Sequence, residues 1–161
     1  GLGKYPGLAS EPCLPAEVFP VCAPALAGGE RPLREPQDLA GHVLLHDDSR
    51  YADAANPSWA AWLEAAGVVG VSASKGLSFW PSHIVISAAI DGLGVALAKG
   101  IWVADDLAAG RLVRPFGLSL ALPQAYHAIY PDSRRDDSRV RLFVDWVKEE
   151  NLRGAPGAAA S

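Results

Sequence analysis

The segment Phe79 to His83 holds the residues of this chain that are best suited to bind a small anion. Pro81 and Ser82 predict the start of a helix that runs to Asp91. The first amides of a helix lack internal acceptors and lie at the positive end of its dipole, so this place favours a carboxylate or a phosphate. Ser82 adds a hydroxyl donor. Alternatively, Ser82 caps its own helix, and the two roles are compatible.

Two more side chains of this segment have open roles. Trp80 could narrow a pocket or stack on a ligand ring. His83 could reach a ligand, but an exposed or core histidine is the more ordinary interpretation.

Patterns for catalysis and metal binding are weak. His42 and His46, with Asp47 and Asp48, could form a metal site, but both histidines lie on a strand-like run. The aspartate pairs adjoin turns or helix starts, where carboxylates cap and are solvated. No serine or cysteine lies in a recognisable nucleophile turn, and no glycine-rich phosphate loop is found in the sequence. We therefore predict no enzymatic activity, no metal site and no cofactor.

The composition is that of one globular domain. The 161 residues are 50% hydrophobic and 20% charged, with a formal net charge of −4. An acidic chain is a poor nucleic-acid binder by itself, because phosphate binding needs a basic surface. Cys13 and Cys22 are too few for a disulfide scaffold, so we expect buried thiols, with a disulfide or a metal site as weaker alternatives.

The start of the chain and the length of its apolar runs indicate where in the cell the protein is located. No apolar run reaches the length of a membrane span. The opening, GLGKYPG, has no Met, no basic region and no apolar signal core, so we expect a truncated or processed N-terminus. We also expect a cytoplasmic location, no membrane contact, and a disordered tail over residues 152–161.

Strand and helix patterns alternate for most of the chain, which predicts an α/β sandwich with a largely parallel sheet. The predicted strands are Leu8–Leu14, Val18–Cys22, Val43–His46, Val68–Ser74, Gly94–Ala98, Leu112–Phe116 and Tyr126–Tyr130. The predicted helices are Pro36–Ala40, Pro57–Ala66, Pro81–Asp91, Ala104–Ala109 and Asp137–Glu150. Asp47 to Asn56 is predicted to be a polar loop. In such folds, ligands bind at the carboxyl ends of strands, against helix N-termini.

Six stretches carry a family pattern by their order and spacing. They are GKYPGL, VFPVCAPAL, PLREPQDLAGHVLLHDD, WAAWLEAAGV, SHIVISAAIDGLGVALA and VADDLAAGRLVRPF. Together with the terminal amphipathic helix, they resemble the sensor domain of LysR-type transcription regulators. The branch they resemble contains the glycine-cleavage activator and the β-lactamase regulator. The resemblance covers residues 1–151, and no single motif is decisive.

The resemblance implies the type 2 periplasmic-binding-protein fold, in which two α/β lobes hold a small molecule in a cleft. It assigns residues 8–115 to a complete second lobe, and residues 1–7 and 116–151 to a partial first lobe. The rest of that lobe and a winged helix-turn-helix would precede Gly1. The last strand and helix would then expose apolar faces, so we expect this chain to be oligomeric or loosely packed after Phe116.

The resemblance also implies an effector site. In the resembled family, the helix start at Ser82 lines the cleft. Tyr126 aligns with an aromatic position near it, although a tyrosine packed in the lobe core is an equal alternative, and Tyr5 is a weaker candidate. Trp80 and His83 depart from the smaller residues usual in this branch. These five residues form the predicted site.

The predicted function is co-inducer sensing. A small anionic metabolite would favour one lobe arrangement over another. In the intact regulator this would alter a homo-oligomer, dimer or tetramer, that binds DNA through its N-terminal domain and contacts RNA polymerase. Three alternatives stay open: a solute-binding protein of a transport system, an enzyme on the same scaffold, and a fragment whose incomplete cleft binds nothing.

Overall fold

The computed structural model describes residues 1–48 and 58–154, with side chains up to residue 150. The predicted polar loop from residue 49 onward, and residues 155–161 of the predicted tail, lie outside the described residues. None of the helices in the described part is long and apolar enough to cross a membrane.

Five strands form one mixed sheet in the order β3-β2-β4-β1-β5. They are β1 (Leu8–Val21), β2 (Leu44–Asp47), β3 (Leu77–Phe79), β4 (Val95–Lys99) and β5 (Leu120–Pro131). β2 is parallel to both of its neighbours, so that Leu45 pairs with Leu77 of β3 and with Ala96 of β4. β1 is antiparallel to β4. The predicted α/β class is confirmed.

In the described ranges, five α-helices alternate with these strands. They are α1 (Pro24–Ala27), α2 (Trp59–Ala65), α3 (Ser82–Ile90), α4 (Gly100–Ala108) and α5 (Ser138–Gly154). Two short 3-10 helices, Pro36–Gly41 and Asp132–Arg134, are also found in the described ranges. α5 therefore includes residues 152–154 of the predicted tail.

The chain divides into two compact units. The central unit is Glu17–Ala121, and the terminal unit combines Gly1–Ala16 with Leu122–Ser161. β1 and β5 each contribute residues to both units. The lobe boundaries implied by the resemblance, at residues 8 and 115, stay a prediction.

The sheet of the central unit is buried on both faces. Adjacent residues on one strand, such as Val95 and Ala96, belong to different core clusters because successive side chains point to opposite faces. One cluster packs with α3 and α4 and contains Phe19, Val21, Leu45, Val85, Ala88, Ala89, Ala96, Ala98, Val103 and Leu112. The other packs with α2 and contains Cys22, Leu33, Leu39, Leu44, Trp59, Trp62, Leu63, Val95 and Phe116.

The tryptophans of α2 anchor the second cluster. Trp62 is fully buried, and its ring lies edge-on to Trp59 at 5.9 Å and tilted against Phe116 at 5.6 Å. The indole N–H of Trp59 donates to the backbone oxygen of Leu45 at 3.0 Å, which ties the helix to β2. The predicted helix and its apolar face are confirmed.

Three strand predictions were wrong in detail. Leu112–Phe116 is not a strand, since Val113 makes only an isolated antiparallel bridge to Cys22. Leu8–Leu14 and Val18–Cys22 are not separate, because β1 continues through three prolines whose φ suits an extended chain. Val68–Ser74 forms no strand, because Gly70 has φ of 86°, outside the range of β-strands. Its alternation has another cause: Val68, Val71 and Ala73 pack from a loop against the core cluster that contains Trp62.

The terminal unit has a small core of its own. Ala9 of β1, Tyr130 of β5 and Val144 of α5 are buried together, with Cys13 and Val140 packed against them. Burial of the other cysteine, Cys22 in the central unit, raises the pKa of its thiol to about 11.

A charged cluster around Glu11 joins the three elements of the terminal unit. The Tyr130 hydroxyl and the Arg141 guanidinium donate to Glu11 Oε1, the latter at 2.7 Å. The Lys148 ammonium donates to Oε2 at 2.9 Å. The hydrogen bond from Tyr130, then that from Lys148, lowers the pKa of Glu11 to about 2. These contacts connect β1 to β5 and to both halves of α5.

Glu11→Gln should destabilise the terminal unit at neutral pH. In acid, the difference in stability between this variant and the parent chain should disappear. The folded pKa lies below the ordinary 4.5, so the charge stabilises the fold above about pH 4.5 and this contribution is lost as the pH falls towards 2. The partners are partly exposed, so we expect a loss of about 1–2 kcal/mol at pH 7. Urea unfolding followed by circular dichroism measures it. Glu30→Gln, at an exposed carboxylate, is the control; an equal loss there, or none at Glu11, would contradict the assignment.

Candidate functional site

The candidate site lies where β3 ends and α3 begins. β3 is the edge strand of the sheet and runs parallel to β2, and α3 starts three residues after it, at Ser82. Pro81 is the N-cap, with an extended backbone and a carbonyl that accepts the amide of Ile84 at 2.9 Å. The helix start predicted from the sequence is therefore confirmed, and it follows the carboxyl end of a parallel strand.

Burial of one face fixes α3 on the sheet. Val85, Ala88 and Ala89 are buried against β2, β3 and β4. The carbonyl of Ala89 also accepts the amide of Ala23 at 3.1 Å. Because this face is held along its length, the first turn of α3 is presented in one orientation, with its amides directed away from the helix.

Ser82 is the first residue of α3 and not its N-cap. Its hydroxyl makes no hydrogen bond with any residue of the described ranges, and the side chain is half-buried. In contrast, Ser58 does cap α2, since its hydroxyl accepts the amide of Ala61 at 3.3 Å. The capping role considered for Ser82 is thus absent from this geometry, and its hydroxyl is left to donate elsewhere.

The first turn of α3 has the groups that bind an anion. Its leading amides have no acceptor within the helix, and the helix dipole adds partial positive charge there. Ser82 supplies a hydroxyl beside them. A carboxylate placed at this turn would receive backbone and hydroxyl donors together, which is the arrangement common to anion sites at helix N-termini.

Trp80 and His83 flank this turn with exposed rings. Trp80 is 60% exposed, so most of its ring is available for stacking. The side chain of His83 is also exposed, which excludes the core alternative, and its backbone carbonyl accepts the Ser87 hydroxyl at 3.1 Å. The structure therefore brings Ser82, Trp80 and His83 together on the central unit.

Tyr126 and Tyr5 belong to the terminal unit. Tyr126 lies half-buried in β5, and Tyr5 lies in the segment before β1. Two contacts bring that segment to β5: Gly1 and Ala125 exchange backbone hydrogen bonds of 2.9 and 3.0 Å, and a side chain added at Gly3 would clash with His127. His127 was not singled out from the sequence.

The histidines considered for a metal site are engaged elsewhere. His42 Nε2 lies 2.8 Å from the carbonyl of Arg31, and His46 Nε2 lies 3.1 Å from that of Lys75. Within residues 1–48 and 58–154, no three His, Cys, Asp or Glu side chains are grouped to hold a metal ion. Nothing in the described part therefore supports the metal interpretation.

Ser82→Ala should leave the stability of the unliganded chain within about 0.5 kcal/mol, because its hydroxyl has no partner among the described residues to lose. Ser58→Ala is the matched control and should cost about 1 kcal/mol, because it removes a helix cap. Thermal unfolding of both variants checks the difference. A Ser82→Ala loss as large as that of Ser58→Ala would show that Ser82 has a structural role.

Comparison with known sequences finds relatives that are all transcription regulators of one family. A family described as "LysR substrate binding domain" matches residues 1–152. The glycine cleavage system transcriptional activator of Escherichia coli K12 is 37% identical over 147 residues, 91% of this chain and 46% of that protein. The transcriptional activator AmpR of Rhodobacter capsulatus is 33% identical over 147 residues, covering 91% and 47%. The chain spans about half the length of these relatives.

Solved structures agree with the sequence relatives. The effector domain of AmpR from Pseudomonas aeruginosa has a TM-score of 0.67 at 28% identity, covering 96% of this chain and 70% of that one. The AmpR effector-binding domain of Citrobacter freundii has a TM-score of 0.66 at 24% identity, covering 94% and 71%. The fold is therefore of the type 2 periplasmic-binding-protein kind, as predicted, and this chain belongs to the LysR substrate-binding domain family.

Proposed function

We propose that this chain is the effector-sensing domain of a LysR-type transcription regulator and binds a small anionic metabolite at the first turn of α3. The observation that carries the proposal is the hydroxyl of the half-buried residue Ser82, which makes no hydrogen bond to the described residues and belongs to the first turn of α3. Family membership supplies the sensing role, and the helix start supplies the chemistry for an anion.

The proposal assigns each candidate a contact. Ser82 donates to the anion, Trp80 stacks on an apolar part of the effector, and His83 lies beside the charged group. Tyr126 and Tyr5 of the terminal unit are further candidates. Binding shifts the population of conformations only to the extent that the effector has different affinities for them.

The role of the whole regulator is part of the same proposal. Its relatives are transcription regulators, and the region that binds DNA would lie outside the part matched here. We propose a cytoplasmic homo-oligomer, without enzymatic activity, whose DNA contacts and RNA polymerase contacts respond to the effector. Residues 8–115 would form the second lobe, and residues 1–7 and 116–151 part of the first. The transport-protein alternative is not favoured, because the matched relatives are regulators.

An effector should raise the melting temperature of this chain. At a concentration of about 100 times its Kd, a ligand of the folded state stabilises it by about 2.7 kcal/mol, or about 5–10 °C. The panel consists of amino acids, nucleotide sugars and muropeptides, measured by thermal unfolding. Ser82→Ala should raise the Kd of the compound that binds by about tenfold, since a hydrogen bond to a charged group is lost.

Ser72→Ala, on an exposed loop of the central unit, is the control and should keep the full shift. The proposed function would be contradicted if no compound of the panel stabilised the chain. A shift of equal size in Ser82→Ala and the parent chain would instead place the effector away from α3.

A further inference from the structure

The chain passes between its two compact units at two points. One point lies in β1, between Ala16 and Glu17, and the other lies in β5, between Ala121 and Leu122. We call the parts of these neighbouring strands that belong to the central unit, residues 17–21 and 120–121, the two connections. The segment 117–119 that leads to β5 has no helical or strand structure. Its backbone carbonyls therefore need partners other than a regular ladder of hydrogen bonds.

Two side chains of the central unit supply these partners. Arg114 Nε donates to the carbonyl of Phe116 at 3.0 Å, and Arg114 Nη2 donates to that of Gly117 at 2.5 Å. The indole N–H of Trp62 donates to the next carbonyl, that of Leu118, at 3.4 Å. Three successive carbonyls before β5 are thus held by side chains, and two of the three are held by one guanidinium.

The same guanidinium contacts β1. Its Cζ lies 4.2 Å from the centre of the Phe19 ring, and its Nη1 lies 4.0 Å from Glu17 Oε1. Phe19 is buried, and a side chain added at Gly100, the first residue of α4, would crowd its ring. The ring is therefore fixed in place, and it presents a face on which the guanidinium stacks.

The planar shape of arginine makes these contacts compatible. A guanidinium carries several N–H donors in one plane and can stack on a ring through its face at the same time. The side chain of Arg114 is 26% exposed, so its contacts are partly shielded from water. Arg114 therefore joins the segment before β5 to the start of the central part of β1 through one rigid group.

We propose that Arg114 is a positioning residue that makes the two connections one cooperative element, so that neither of them rearranges alone. Displacing the segment before β5 breaks the hydrogen bonds of Arg114, and displacing β1 at Phe19 removes the surface on which Arg114 stacks. A conformational change that passes through one connection then involves the other. The proposal uses no contact of α3, so it holds or fails independently of effector binding.

Hydrogen exchange of the ¹⁵N-labelled full chain, followed by nuclear magnetic resonance, tests this cooperativity. The parent chain should protect amides in both connections. Arg114→Gln should accelerate exchange about tenfold or more at Glu17 and Val18 and also at Leu120 and Ala121, because hydrogen bonds from a charged group are lost. Exchange at Ala96, in the middle of the sheet, should change less than about threefold.

Two further variants separate the shape of Arg114 from its charge and from general effects of substitution. Arg114→Lys keeps the charge but lacks the planar fork, so it should accelerate both connections as well. Arg111→Gln is the matched control, since Arg111 is an exposed arginine bonded to Asp106 at 2.6 Å, and it should leave both connections unchanged. Acceleration at only one connection, or equal acceleration throughout the sheet, would overturn the proposal, as would a parent chain without protection at either connection.

A double-mutant cycle tests whether the coupling runs through Arg114. Phe19→Leu removes the ring under the guanidinium and should accelerate exchange at Leu120 and Ala121 about threefold or more in the parent chain. In the Arg114→Gln background, the same substitution should add nothing at these amides. Phe79→Leu, in a ring that packs on the same core cluster from β3, is the control and should leave these two amides unchanged. An equal effect of Phe19→Leu in both backgrounds would overturn the proposal, because the coupling would then run through the core.

Discussion

The packing of α3 on the parallel strands β2, β3 and β4 is the contact on which the candidate site depends. Val85, Ala88 and Ala89 bury one side of the helix, so its axis is fixed relative to the sheet. A helix held in this way keeps its first amides at one place. An anion that binds there need not order them, so little conformational entropy is lost on binding. On the other face of the same sheet, Trp59 and Trp62 close the core, which keeps both layers of the central unit fixed. The proposed anion site is thus a consequence of how an apolar helix face is buried.

Local signals explain why so much of the helical structure could be predicted. The starts of α2 and α3 are marked by residues that act within one turn. Ser58 caps α2, and Pro81 precedes Ser82, the first residue of α3. Strands were harder, because their pairing depends on residues distant in sequence. β1 runs unbroken through three prolines, and the alternation of residues 68–74 came from a loop that packs on the core. Alternating burial predicts which side chains point inward, but not whether the backbone has a partner strand.

Some features of the candidate site could likewise be predicted from the sequence, and others required the structure. The position of Ser82 at a helix start followed from the sequence, whereas its lack of a capping bond required the structure, since both arrangements share the same residues. Tyr126 and Tyr5 could be named only through the family resemblance, and the contacts that bring their segments together run through Gly1 and Gly3. The Glu11 cluster was not foreseen, because Tyr130, Arg141 and Lys148 are more than a hundred residues away from it in sequence.

The central claim is that α3 receives the effector at its first turn, and a nuclear magnetic resonance titration of the ¹⁵N-labelled chain tests it most directly. The titrant is the carboxylate compound that gives the largest thermal stabilisation. The account predicts that the amide resonances of Ser82 and His83 show the largest saturable shifts, because their N–H groups would donate to the bound anion. Saturable shifts concentrated elsewhere, with these two amides unmoved, would contradict it.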